Sequence, residues 1–441
     1  MNIRLINLLF VMLLSLVLIV AAGCDSNDDD DNDNNAPADD DAQVDDDSAA
    51  DDDLTDDDAA DDDVTDDDTV DDDTVDDDTV DDDTVDDDTV DDDTTDDDTV
   101  DDDTADDDAT PVIGCIEGDF DPYWGNLHSH TKYSDGELTP AHAFAWARDM
   151  AGLDIMVVTD HVEQLYLPFP DDRWGKCLEQ AEEAYDPGNY LTDCGYEYGS
   201  GFILPWFQST GHNNVFFPPY LFPIVQLDFH NFYNSLVECP TCVGQFNHPG
   251  DDPQMTWNNW EYFADVDATM NLFEFNSDVD VWPIYFDALA AGWHVSPMHN
   301  QDNHGADWGT KNDDRSGFFL AELNREALHD AMMARRSFQS TDKNAYIRMM
   351  ADDTCWMGSI LSGYSSMALF VEVSDIDVGD GFETIELYGP GPALIDSYSC
   401  SGSETCSTTF NVDITGSTYF VARATQTDAQ FLVAAPIWVE P

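Results

Sequence analysis

Basic residues are nearly missing: 13 lysines and arginines stand against 97 aspartates and glutamates in 441 residues, a formal net charge of −84. So acidic a surface disfavours nucleic acid and anionic lipid as partners, leaving small molecules as the expected substrates. No Gly-x-Ser-x-Gly segment occurs, so the serine-hydrolase nucleophile elbow is excluded. A single Cys-x-x-Cys, Cys239 to Cys242, has no second copy to complete a zinc knuckle, which favours a disulfide. The one long apolar run, Leu5 to Val20, ends in small residues and a lone cysteine rather than in charges, so it reads as an export signal and not a membrane span.

Residues 1–24 close on Ala21-Ala22-Gly23-Cys24, which resembles a bacterial lipobox. That resemblance implies cleavage before Cys24, lipid on its sulfur, and an exported chain anchored to a membrane on the periplasmic or cell-surface side. Residues 25–110 are then an Asp-rich repeat, much of it Asp-Asp-Asp-Thr-Val, with 48 aspartates and no Lys, Arg or Glu. Like charges at this density cannot bury a core and keep a chain extended and disordered. As a neutral flexible chain it would span about 50 Å, and repulsion lengthens that, so it reads as a tether. Lacking glycine turns to fold the aspartates into loops, it is expected to condense counter-ions only diffusely.

In the remainder, 49 acidic residues face 12 basic ones. Some 330 residues are too many for one small core and suggest a large domain, 111–343, with an appendage, 344–441. Eight cysteines remain, an even number in an exported chain, and disulfides are the default. Sequence-near candidates are Cys177 with Cys194, Cys239 with Cys242 and Cys400 with Cys406, leaving Cys115 for Cys355, although eight cysteines allow many other connectivities.

The chemistry starts at Gly125 to Gly136. His128 and His130 alternate with Leu127 and Ser129, so on a strand both imidazoles share a face. Asp135, in a Ser-Asp-Gly turn, can swing a carboxylate back over the same end, and imidazole with carboxylate suits Zn, Mn or Fe. Thr139-Pro140 starts a helix that Gly152 ends, and the apolar strand from Asp154 delivers Asp160 and His161. Strand, helix, strand with polar groups at strand ends places chemistry on one rim, as in parallel barrels. Later segments return there: Glu197, His212 at a strand start, His248 at a strand end, then Asp302 and His304 beyond a helix over Trp282 to Ala291. Asn324 caps a last helix whose terminal Arg335 and Arg336 suit the helix dipole. Beyond Asn344, short strands between Gly, Ser and Asp clusters predict a small β-sandwich.

His128, His130, Asp135, His161, Glu197, His212, His248, Asp302 and His304 are thus nine nitrogen and oxygen donors without a thiolate, enough for two or three divalent metals. The motifs His-Ser-His-Thr-x-x-Ser-Asp-Gly, Thr159-Asp160-His161, Gly195-x-Glu197, Gly211-His212, Asn247-His248-Pro249 and Asp302-x-His304 resemble the polymerase and histidinol phosphatase (PHP) superfamily of metallohydrolases. The C-terminal part resembles the sandwich of its carbaryl-hydrolase-like (CehA/McbA) branch. The resemblance implies a distorted (β/α)7 barrel with one metal on His128, His130, Glu197 and Asp302. A second would lie on Glu197, His212 and His248, and a third on Asp135, His161 and His304. It implies hydrolysis, phosphoester first and carboxyl ester, amide or carbamate second, by a metal-bridging hydroxide with Asp302 and His304 as catalytic groups. Lys132, Arg173, Lys176, Lys311 and Arg315 are the cations available to phosphate oxygens. A non-catalytic, metal-stabilised surface binding module is the competing class.

Overall fold

The structure is a computed structural model that describes residues 114–166, 171–199, 211–224, 229–250, 256–276 and 280–441. The signal, Cys24 and the Asp-rich segment lie outside the described residues. Among the described residues no helix is long and apolar enough to cross a membrane.

Ten strands build the first half: β1 Asp121–Asn126, β2 Ile155–Val158, β3 Leu191–Cys194, β4 Tyr196–Gly199, β5 His212–Phe216, β6 Val243–Asn247, β7 Met270–Phe275, β8 Ser296–His299, β9 Arg315–Leu320 and β10 Ser337–Ser340. Strands β1, β2 and β3 pair in parallel, as do β6, β7 and β8. Two bridges at the rim join these sets into a ring, His161 with Glu197 and Ser129 with Asn303. The ring departs from a uniformly parallel barrel because β5 runs antiparallel to both β4 and β6. Leu127, Ile155, Val157, Leu191, Phe216, Val243, Leu272 and Met298 form one fully buried cluster, while Met156, Val158, Phe246, Phe273 and Phe275 are buried on the opposite faces, so β2, β6 and β7 are covered on both sides.

Helix α1 (Pro140–Asp149) begins where its cap predicts: Thr139 Oγ1 accepts from His142 N and proline occupies the first turn. Helices α2 (Arg173–Ala184), α3 (Phe229–Val237), α4 (Trp282–Ala291) and α5 (Arg325–Met333) follow, the last capped by Asn324. Arg335 and Arg336 do not serve the α5 dipole. Arg335 has φ +56°, which turns its side chain inward, fully buried, where Nε donates to His294 O at 2.7 Å. Arg336 Nε donates to Phe319 O at 2.6 Å. A carbonyl of the connection before β8 and one in β9, not helix carbonyls, are their acceptors.

The second half is a sandwich of β11 Tyr346–Ala351, β12 Cys355–Trp356, β13 Ile360–Ser362, β14 Ser366–Ser374, β15 Phe382–Gly389, β16 Ala393–Ser403, β17 Thr405–Asp413, β18 Thr418–Gln426, β19 Phe431–Ala434 and β20 Ile437–Glu440. Alternate residues of β11 and β14 are buried, and Ile347, Met349, Leu369 and Val371 meet Phe382, Ile385, Leu387, Ala422 and Ala424. Because β10 pairs with β9 on one side and β19 on the other, one sheet runs from β1 into the sandwich. Four disulfides form, Cys115–Cys355, Cys177–Cys194, Cys239–Cys242 and Cys400–Cys406.

Candidate metal centre

All nine predicted donors come together at the rim. His128 and His130 follow β1, and their Nε2 atoms lie 3.3 Å apart. The Asp135 turn closes over them because Gly136 has no Cβ, which would lie 2.6 Å from the His130 carbonyl. Buried Asp160 holds the intervening loop, accepting from Thr131 N and Oγ1 at 2.7 Å and from Ser134 N at 3.1 Å.

Glu197 is the hub. Its carboxylate lies 3.5 Å from His128 Nε2, 3.4 Å from His130 Nε2, 3.0 Å from His161 Nδ1, 3.1 Å from His212 Nδ1 and 3.2 Å from His248 Nε2. Asp302 Oδ1 completes one side, 3.0 Å from His130 Nε2 and 3.3 Å from His128 Nε2. Asp135 faces His161 at 3.5 Å and His304 at 3.4 Å. Three groups hold donor atoms within 4.8 Å of one another: His128, His130 and Glu197; Glu197, His212 and His248; and His130, Asp135, His161 and His304. His130 thus adjoins the third group as well as the first. Imidazole nitrogens facing each other across carboxylates fit divalent cations of the Zn, Mn or Fe type. His248 (φ +32°) and Asp302 (φ +42°) sit in sparsely populated backbone conformations, a concentration of strain at the site.

Several supporting residues escaped the sequence reading. Glu274, buried in the middle of an apolar strand, takes the other face of His128: Nδ1 lies 2.9 and 3.1 Å from its two oxygens. It also accepts from His248 N at 2.7 Å. A proton on Nδ1 leaves Nε2 free as the ligand atom, the usual outer-shell role of a carboxylate behind a metal-binding histidine. Asn247 Nδ2 likewise donates to Glu197 Oε1 at 3.0 Å. A carboxylate at an inward-facing position of β7 was the available signal for Glu274. Glu274→Gln is expected to weaken metal binding about 10- to 100-fold with the fold retained, checked by competition with a chromophoric chelator.

His299 is not part of the centre: it faces Gln339 Oε1 at 3.1 Å and Asp314 Oδ2 at 3.3 Å, between β8 and β10. The five cations are engaged elsewhere in part. Arg173 donates to Tyr133 O, Lys311 to Gln301 O, and Arg315 to Asn312, Asp314 and Gly309 carbonyls, while Lys176 pairs with Asp171. Lys132 is exposed on the loop after His130.

Burial alone would lower the histidines, but the carboxylates prevail. Asp302 and Glu197 raise His130 to about 9, and Glu197 raises His248 to about 9. Glu197, despite burial, is held well below the ordinary carboxylate range by His128 and His212. Metal-free protein therefore holds protons where cations would sit. The sign follows: stability from His130 and His248 is fully present below their unfolded value near 6.5 and is lost as pH rises through about 9. Denaturant midpoints of chelator-treated protein are expected to fall across that window, whereas Zn²⁺ uptake releases protons and strengthens with pH.

No protein-family model and no curated protein matches the chain. Among solved structures it is similar to a two-domain protein containing a predicted PHP-like metal-dependent phosphoesterase from Bacteroides vulgatus, at 16% identity and TM-score 0.43, covering 74% of this chain and 98% of that one. PsfC from Pseudomonas syringae matches at 14% identity and TM-score 0.35, covering 48% and 88%. The lesion-specific endonuclease PfuEndoQ from Pyrococcus furiosus matches at 15% identity and TM-score 0.34, covering 48% and 56%.

Proposed function

We propose that this chain is a PHP-type metal-dependent hydrolase, most readily a phosphoesterase acting on small molecules. The observation that carries the reading is the convergence of five histidines on one buried carboxylate, Glu197, with Asp135, Asp302 and His304 around them. Two or three divalent cations held by those residues would supply Lewis acidity and a water of lowered pKa. The chain's own groups do the rest. Glu274 fixes the His128 tautomer, and Asn247 fixes Glu197. Asp302 and His304, with side chains 37% and 42% exposed, stand at the open side, where Asp302, held ionised by His128 and His130, would accept a hydrogen bond from the attacking water and orient it, and His304 would pass a proton to solvent.

One observation favours a second reading, hydrolysis of a neutral carboxyl ester, amide or carbamate: Arg173, Lys311 and Arg315 donate to backbone carbonyls, which leaves fewer donors for phosphate oxygens. The disulfides suit an oxidising compartment, and with the lipobox-like ending at Cys24 they support an exported, lipid-anchored enzyme on a long acidic tether.

The test is turnover of p-nitrophenyl phosphate and p-nitrophenyl acetate by the full chain with Mn²⁺ or Zn²⁺, beside His128→Ala. Phosphate hydrolysis lost in the variant supports the first reading, and acetate hydrolysis alone the second. Loaded protein that turns over neither ester would leave the metal-stabilised binding module.

A further inference from the structure

Where the ring meets the sandwich, Phe275 of β7, Trp282 at the start of α4, His299 of β8, Thr341 after β10, Arg423 of β18 and Phe431 of β19 line a cavity of about 250 Å³. It lies behind the metal centre, not in it. Glu274 and Phe275 are successive on β7 and leave by opposite faces, so the strand that turns Glu274 toward His128 turns Phe275 toward the cavity. The volume is just under the roughly 300 Å³ at which sites for drug-sized ligands begin, so a ligand here is small.

Arg423 is the unusual member of this wall. The other described arginines all have acceptors: Arg148 has Asp149, Arg325 has Glu182 and Arg348 has Glu372, while Arg173, Arg315, Arg335 and Arg336 donate to backbone carbonyls. Among the described residues Arg423 neither donates a hydrogen bond nor forms an ion pair, and its Nε is buried without an acceptor, a costly state for a charged donor. Acidic residues are not scarce in this chain. Glu386, opposite Arg423 on β15, accepts from the Tyr388 hydroxyl at 2.9 Å instead, and Asp280, the one carboxylate on the cavity wall, is exposed. Two rings hold the guanidinium in place: Cζ lies 4.5 Å from the Phe431 centroid and 5.2 Å from that of Trp282. Both rings also line the cavity, so the guanidinium stands at its wall. Stacking covers the faces of a guanidinium and leaves its in-plane N–H edge for an acceptor. The neighbouring polar groups are already engaged, for Thr341 Oγ1 accepts from Phe431 N at 2.8 Å and His299 faces Gln339 and Asp314.

We propose that this cavity binds a small monocarboxylate with an apolar body, the carboxylate paired with the Arg423 guanidinium and the body against Phe275, Trp282 and Phe431. A planar guanidinium matches a carboxylate fork to fork. One cation among aromatic rings balances one charge, which suits a monocarboxylate better than a phosphate dianion. The proposal stands apart from the hydrolase reading, since none of the nine metal donors lines the cavity.

The experiment is calorimetric titration of the full chain, loaded with Zn²⁺ and shown to be folded by circular dichroism, with benzoate and with benzamide, for wild type, Arg423→Gln, Asp280→Asn and His128→Ala. Wild type is expected to bind benzoate with a Kd of about 1 mM, and benzamide, its neutral counterpart of the same shape, at least about tenfold more weakly. Arg423→Gln is expected to weaken benzoate binding at least about tenfold. Asp280→Asn, at an exposed position, is expected to tighten it about twofold by removing a like charge from the wall. His128→Ala, which disables the metal centre, is expected to leave benzoate affinity unchanged; loss of binding there would place benzoate on the metals and overturn the proposal. So would no benzoate binding by wild type at about 10 mM, equal affinities for benzoate and benzamide, or an affinity unchanged in either cavity variant.

Discussion

Replacing Glu197 with glutamine is expected to lower kcat/KM by at least about a thousandfold, the several kcal/mol that correctly held cations contribute to a hydrolytic transition state. The reason is geometric and electrostatic together. One carboxylate, 1% exposed, lies within 3.5 Å of five histidines that come from four separate places in the chain. Glutamine keeps the shape but loses the charge that lets those rings face one another and that two of the three donor groups share. Metal content, measured by elemental analysis of protein shown to be folded by circular dichroism, is expected to fall with the activity. A variant that kept both its metals and its rate would show that Glu197 is a packing residue beside the centre, not its shared ligand.

The second large effect concerns stability. Removing the Cys115–Cys355 bridge as a double serine variant is expected to cost about 2–5 kcal/mol, read as a lower denaturant midpoint with a steeper slope, because the released unfolded chain exposes more surface. This bridge spans 240 residues, so in the chain-entropy account it restricts the unfolded chain far more than Cys239–Cys242, which spans three. It also pins the entry of the chain to the sandwich, where Trp356 Nε1 donates to Gly118 O and Ile116 N to Ser359 Oγ. The corresponding Cys239–Cys242 variant is expected to move the midpoint much less. Equal shifts for the two bridges would mean that strain or local packing, rather than loop length, governs their contribution.

Where the sequence was read well, the signals were local. Thr139-Pro140, the Asn324 cap and the four-residue apolar core of β2 each specify their element within one turn or one strand, and the structure has them there. The four disulfides match the sequence-near pairing because three of the pairs lie within 17 residues and leave one remaining partner for Cys115. Strand β16, by contrast, went unread: ten of its eleven residues are exposed, so it has no buried face to impose alternation, and only pairing with β15 makes it a strand. Arg335 was misassigned because its partners, the carbonyls of Asp267 and His294, are 68 and 41 residues away.

The sequence by itself determined the chemistry on offer: an acidic chain with few cations, eight cysteines after the signal, and histidines and carboxylates at the ends of apolar runs. Residue type and short-range periodicity suffice for that, since they fix which atoms can bind a cation and which face of a strand they leave from. Only the tertiary structure decided that β5 is antiparallel to its neighbours, that Glu274 on β7 stands behind His128, and that Glu197 faces five rings at once. Those are matters of register between strands far apart in the chain, and a shift of one residue would have turned Glu274 and Glu197 out of the ring.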